Sequence, residues 1–214
     1  MDRIIEKTMK NLEKNNISAF YADSREEVAG IIKSLVPAGS TVSNGGSETL
    51  AQTGVMDLLS GGDYVFYDRR GLEGEELRAC YVRAFGCDAY FCSSNAITEN
   101  GELYNVDGNS NRVACIVYGP KQVIMVAGKN KIVPDLASAV NRVKQQAAPS
   151  NTVRLHKNTP CAATGQCISL GGSSPELCAG CRTPERICCN FVVSAYQRHK
   201  GRIKVILVNE DLGY

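Results

Sequence analysis

Apolar residues switch between a helical and a strand period again and again along residues 1 to about 146, and this alternation constrains the chain more than any other feature. Ile5, Met9 and Leu12 recur at i, i+4 and i+7, which predicts an amphipathic helix over 2–15. A strand is expected at 17–21. Ser24 and Glu27 form a capping-box signature before Val28, Ile31, Ile32 and Leu35, which share one helical face until Pro37 and Gly39. Residues 41–43 read as a strand that runs into Asn44-Gly45-Gly46. Short helices are expected at 47–52 and 55–59, strands at 64–67 and 89–92, and a helix carried by Leu77, Cys80, Tyr81 and Ala84 between them. Turn signals at Glu99-Asn-Gly and Asp107-Gly-Asn bracket a hairpin excursion. Residues 114–118 and 122–127 read as apolar strands split by Gly119-Pro120, and Leu136, Ala139, Val140 and Val143 mark another helix. Such alternation predicts an α/β fold with a mainly parallel sheet flanked by helices. After a polar, Gly/Pro-rich insertion, 191–196 and 203–208 are expected to form a terminal strand pair.

At 214 residues, with 43% hydrophobic and 21% charged, the chain is long enough for one sizeable core and reads as a single α/β domain over 1–214. The balance of 24 basic and 22 acidic residues, with no Trp, gives no case for a nucleic-acid partner. Charges recur through the first ten residues, unlike a signal peptide, and no apolar run approaches the roughly 18 residues of a membrane span. A cytoplasmic protein without a membrane span is expected, and there thiols stay reduced.

Ten cysteines in a reducing compartment require an explanation other than disulfides. Cys80, Cys87, Cys92 and Cys115 sit in or beside apolar elements and read as small buried hydrophobes. The other six fall within 29 residues, spaced Cys161-x5-Cys167-x10-Cys178-x2-Cys181-x6-Cys188-Cys189, in a segment of about 156–189. Thiolates are soft ligands for zinc or iron–sulfur centres, and a metal would cross-link a loop with little core of its own. Only Cys178-x2-Cys181 has the close pair that zinc favours, whereas a 4Fe-4S cluster accepts irregular spacing. Iron–sulfur is therefore preferred and zinc is the alternative, with free thiols as the metal-free reading. His156 is a further candidate ligand, or a surface residue.

Two other stretches are chemically unusual. The strand, Gly-Gly turn and helix start at 41–50 make Asn44, Gly45, Gly46, Ser47 and Thr49 a candidate ligand site, with free N–H groups for a phosphate or carboxylate. Glu48 would compete for those donors, so a plain turn is the alternative. Between Asn95 and Arg112 the chain is dense in Asn, Asp and Glu. Glu99 and Asp107 are candidate general bases, and Arg112 a candidate two-point carboxylate holder, with Asn95 and Asn111 beside it. The same residues also suit tight turns. Lys129 and Lys131 read as part of a solvated turn.

The strings Asn95-Ala-Ile-Thr-Glu-Asn-Gly, Asp107-Gly-Asn-Ser-Asn-Arg-Val-Ala, Tyr118-Gly-Pro-Lys and Gly128-Lys-Asn-Lys-Ile-Val resemble the LUD domain of lactate-utilisation proteins. The ending, Cys181-Arg-Thr-Pro-Glu-Arg-Ile-Cys188 and Val205-Ile-Leu-Val-Asn-Glu-Asp-Leu-Gly213, is similar to stand-alone LUD proteins with a cysteine-bearing tail. The resemblance implies a NagB/RpiA/CoA-transferase-like fold, whose enzymes bind phosphorylated or CoA ligands near a Gly-rich turn. It also implies a role in oxidising lactate to pyruvate beside iron–sulfur partner subunits. The family's tail pattern, Cys-x5-Cys-x2-Cys-x6-Cys, maps onto Cys161, Cys167, Cys181 and Cys188 as metal ligands. Residues 168–180 separate its halves, which leaves Cys178 and Cys189 as alternatives.

Two functions compete most closely. One is a redox accessory subunit in oxidation of lactate or a related organic acid, holding a small anionic ligand near a Cys-ligated centre. The other is an isomerase or acyl-transfer-like enzyme with Glu99 or Asp107 as base and a structural zinc. A non-catalytic scaffold is a third reading, and a homodimer is compatible with the fold type.

Overall fold

The computed structural model describes residues 1–171 and 176–214. Asp2 starts helix α1 (Arg3–Lys14), its carboxylate accepting the Ile4 N–H at 2.8 Å and so filling a donor the first turn leaves free. Strand β1 (Ser18–Ala22), helix α2 (Val28–Leu35), strand β2 (Thr41–Asn44), short helices α3 (Glu48–Gln52) and α4 (Val55–Ser60), and strand β3 (Val65–Phe66) follow. Next come helix α5 (Gly74–Phe85), strand β4 (Ala89–Cys92), strands β5 (Ala96–Thr98) and β6 (Leu103–Asp107), and helix α6 (Asn111–Val117). Strands β7 (Gln122–Gly128) and β8 (Ile132–Val133) lead to helix α7 (Leu136–Arg142). A π-helical turn, Val143–Ala147, carries α7 into α8 (Ala148–Arg154). Helix α9 (Pro160–Thr164), strand β9 (Asn190–Ser194) and strand β10 (Ile203–Val208) complete the order.

Six strands form one parallel sheet, ordered β1-β10-β7-β4-β2-β3. Strand β7 shows how it is buried. Val123, Met125 and Ala127 face the layer holding Ile5 and Leu12 of α1 and Ile116 of α6, while Ile124 and Val126 face Ile32 of α2 and Leu59 of α4. Successive side chains alternate faces and both faces are covered, so the strand reads as a continuous apolar run. Each buried Val, Ile, Leu or Met side chain among these contributes about 1.5–3 kcal/mol. The fold is thus α/β, with helices on both sides of the sheet.

A second sheet, β8-β5-β6-β9, is mixed: β5 pairs antiparallel with β6 and parallel with β8, and β9 lies antiparallel to β6. The links from β4 to β5 and from β7 to β8 are residues 93–95 and 129–131. Both leave carboxyl ends of the parallel sheet, so the second sheet stands at that end.

Three local expectations are corrected. Residues 114–117 are helical, within α6, and Tyr118 follows it in extended backbone. Asp107 accepts the Ser110 and Val113 N–H groups at 3.2 and 3.1 Å at its start, and Arg202 donates to the Cys115 and Ile116 carbonyls at 2.9 and 2.7 Å at its end. Both helix ends are satisfied by side chains from elsewhere, which outweighs the strand tendency of the Ile-Val pair. The last two strands do not pair: β9 edges the second sheet and β10 is interior to the first. The linker between them is tied to the end of α1, where Gln197 N donates to Asn15 O at 2.9 Å and Asn16 Nδ2 to Gln197 O at 2.6 Å. The Ser24 side chain makes no cap. Residues Arg25–Glu27 form a 3-10 turn, and Glu27 accepts the Asp23 N–H at 2.9 Å instead. Among the described residues, no helix is long and apolar enough to cross a membrane.

Candidate functional site

Strand β2 has β3 on one side and β4 on the other, so the chain order reverses between β2 and β4. Ligands of open α/β sheets bind outside the carboxyl ends of the strands at such a point. A cleft of about 620 Å³ lies there, reached by the turn after β2 and both three-residue links. Its charged lining is Arg69, Arg112, Lys131, Arg154, Lys157 and Arg186 against Glu48, Asp107 and Glu185. A surplus of cations in a concave site concentrates anions.

The Gly-Gly turn is shaped by two of these arginines. A Cβ on Gly45 would stand 2.9 Å from Arg112 Cδ, and one on Gly46 would stand 2.6 Å from Arg69 Nη2. Arg112 is fully engaged: Nη1 donates to Asn105 Oδ1 at 2.6 Å and to Ser93 O at 3.3 Å. Its Nη2 donates to Val106 O at 2.6 Å and to Asn95 Oδ1 at 2.9 Å. The two-point edge expected to hold a ligand carboxylate is therefore taken by protein oxygens, and Arg112 braces the hairpin while adding charge to the cleft. Asp107 lies 3.7 Å from Arg112 Nε and caps α6 with both oxygens. Arg69 differs. Its one side-chain hydrogen bond is to Tyr81 OH at 3.2 Å, and among the described residues no carboxylate comes within ion-pair reach. Arg154 pairs with Glu48 at 3.4 Å and donates to Tyr214 OH at 2.6 Å.

Lys131 departs furthest from its expected solvated turn, being only 3% exposed. Its Nζ donates to Thr49 Oγ1 at 2.8 Å and Ser93 Oγ at 2.9 Å. Burial, then Arg142 and Arg112 nearby, lower its pKa to about 7. Sequence reasoning missed Lys131, Arg69 and Arg154 as cleft residues. The available signal was position: Lys131 and Arg69 each follow a strand of the parallel sheet by three residues.

The other expected site residues divide. Gly46, Ser47, Asn95, Asp107, Asn111 and Arg112 line the cleft. Ser47 caps α3, accepting the Leu50 N–H at 3.3 Å. Thr49 is buried beneath it as a partner of Lys131. Asn44 is buried behind the turn, donating to Gly45 O at 3.0 Å, with Oδ1 unpartnered. Glu99 lies outside the cleft, paired with Lys7 of α1 at 2.6 Å.

Cys80, Cys87, Cys92 and Cys115 are buried in the core as expected, and burial pushes the Cys92 thiol up to about 12. Cys161, Cys167, Cys181 and Cys188 line one small apolar pocket with Val143, Ala148 and Phe191, whereas Cys178 and Cys189 are exposed. Hydroxyls lie beside three of the four sulfurs: Thr159 at 3.3 Å from Cys161, Ser169 at 3.3 Å from Cys167 and Thr183 at 3.5 Å from Cys181. The Arg186 guanidinium gathers the segment, donating to the carbonyls of Cys178, Cys181 and Cys188 at 2.8–2.9 Å. The π-helical turn frees the Lys144 carbonyl to accept the Cys167 N–H at 2.9 Å, while Lys144 Nζ donates to Ser169 and Ala179. An all-sulfur donor set in a dry pocket fits a soft metal centre in kind. Among the described residues, no three His, Cys, Asp or Glu side chains stand close enough to share a single ion. His156 is exposed, in a left-handed turn.

The molecule is therefore an α/β protein with a cationic cleft at its switch point and a cysteine pocket alongside. The chain belongs to the LUD domain family, whose model matches residues 5–208. A crystal structure of a DUF162 family protein from Deinococcus radiodurans is similar over 96% of each chain, with a TM-score of 0.52 at 17% identity, and shares the fold. The crystal structure of eIF2B delta from Chaetomium thermophilum matches 51% of this chain and 48% of its own, at 17% identity and a TM-score of 0.34. Comparison with curated proteins returns no match.

Proposed function

We propose that this chain is a lactate-utilisation-type redox accessory protein, acting in the oxidation of lactate or a related organic acid. It holds the small anionic acid in the cleft and a Cys-ligated metal centre beside it. One observation carries the reading: Cys188, with Val143 and Ala148, borders both the cleft and the cysteine pocket. A ligand in the cleft would be separated from the centre by that wall alone. Cys161, Cys167, Cys181 and Cys188 would hold the group, and an iron–sulfur cluster would supply one-electron transfer. Hydroxyls beside the sulfurs would tune its potential, and iron–sulfur partner subunits would exchange its electrons. Reduced thiols suit the cytoplasm.

The alternative, an isomerase or acyl-transfer enzyme with a structural zinc, loses support. Glu99 lies away from the cleft, and Asp107 is committed to α6. The test is iron, zinc and sulfide content of protein purified anaerobically without a metal-affinity tag. About four iron and four sulfide per chain, with brown absorption near about 400 nm, is the expected result. One zinc without colour would overturn the redox reading.

A further inference from the structure

We propose that Lys131 captures a 2-oxo acid in the cleft as a covalent iminium, an inference that rests on the cleft being an organic-acid site. Lys131 lines the cleft beside Ser93, to which its Nζ donates, and its side chain is otherwise enclosed. Among the described residues no carboxylate lies within ion-pair reach of it, and its two partners are the hydroxyls of Thr49 and Ser93. The charged groups around it are cations: Arg142, itself buried with Nη2 unpartnered, and Arg112, with the Cys92 thiol behind.

Such surroundings disfavour an ammonium and favour a free amine. Burial, Arg142 and Arg112 bring Lys131 to about 7, so a large share is nucleophilic at neutral pH. Arg69, on the same cleft and without an acidic partner among the described residues, supplies a cation for the acid's carboxylate.

The step balances without a co-reactant. The Nζ lone pair forms a bond to the keto carbon, and the carbonyl oxygen takes up a proton to give a carbinolamine. A second proton lets that oxygen leave as water as the C=N bond forms. From an ammonium and a keto acid, the products are one iminium and one water, with no electrons gained or lost. The Ser93 and Thr49 hydroxyls, both hydrogen-bonded to Nζ, carry the protons.

The test is trapping with pyruvate and sodium borohydride near neutral pH, read by intact mass and peptide mapping, beside calorimetry with pyruvate alone. One reduced adduct on Lys131 is expected, favoured over surface lysines by on the order of a hundredfold because those remain protonated. Lys131→Met should abolish it, and mapping of the parent protein identifies the lysine even if that variant folds poorly. Pyruvate binding with no adduct, or an adduct spread over surface lysines, overturns the role of Lys131 and leaves the cleft reading standing. Neither binding nor adduct overturns both.

Discussion

Arg112 lies across Gly45 so closely that its Cδ would stand 2.9 Å from a Cβ placed there. The arginine cannot retreat, because four oxygens of the β4–β5 link and β6 hold its guanidinium. Gly45→Ala is therefore expected to cost about 1–3 kcal/mol in urea unfolding. At Gly46 the crowded atom is the free end of Arg69, which can swing aside, so Gly46→Ala should leave stability nearly unchanged. Equal losses at both positions would contradict this account.

Buried charge at Lys131 predicts a pH-dependent stability. Its pKa is about 7 when folded, against about 10.4 in an unfolded chain. The unfolded chain binds more protons between those values, so the stability from this group is complete above about pH 10 and lost as pH falls to 7. Lys131→Met removes the buried charge. It should be more stable than the parent by about 1–2 kcal/mol at pH 6, with the gap narrowing as pH rises. A gap constant from pH 6 to 10 would refute a buried, shifted amine.

Much of this was legible beforehand, for physical reasons. Strand β7 is covered on both faces, so its apolar run identified it, and Pro37 and Gly39 bounded α2 by local chemistry. Helix α6 was not legible, since its ends are satisfied by Asp107 and Arg202, the latter distant in sequence. The burial of Lys131 depends on Thr49 and Ser93 meeting over it, which no pattern near Lys131 records. The pairing Cys161, Cys167, Cys181 and Cys188 came from the family's tail pattern. The same four line one pocket because Arg186 and Lys144 fold the segment back.

Metal content of single cysteine variants tests that grouping. Alanine at Cys161, Cys167, Cys181 or Cys188 should remove most bound iron, while Cys178→Ala and Cys189→Ala should retain it. Loss of iron from either exposed position would mean that a different set binds.

Among the described residues, Arg69 is the one cleft arginine without a carboxylate partner or a full set of protein oxygens, so anion affinity should depend on it. Arg69→Gln is expected to weaken oxalate binding by about tenfold or more in calorimetry, the effect of losing a charged hydrogen bond. Glu99→Gln, outside the cleft, should change nothing. Added salt should weaken the parent's binding more than the variant's.

The place of β10 sets an order of events during synthesis. Edge strand β1, made near the start of the chain, pairs among the described residues with β10 alone, made near the end. On a ribosome β1 waits while nearly everything else emerges, a long-range closure of the kind that slows folding. The cysteine segment leaves the ribosome before β10, so its thiols are out while the sheet is still open. The last-made strand is thus the one that joins the first to the rest, and the chain commits to its sheet only when nearly all of it is out.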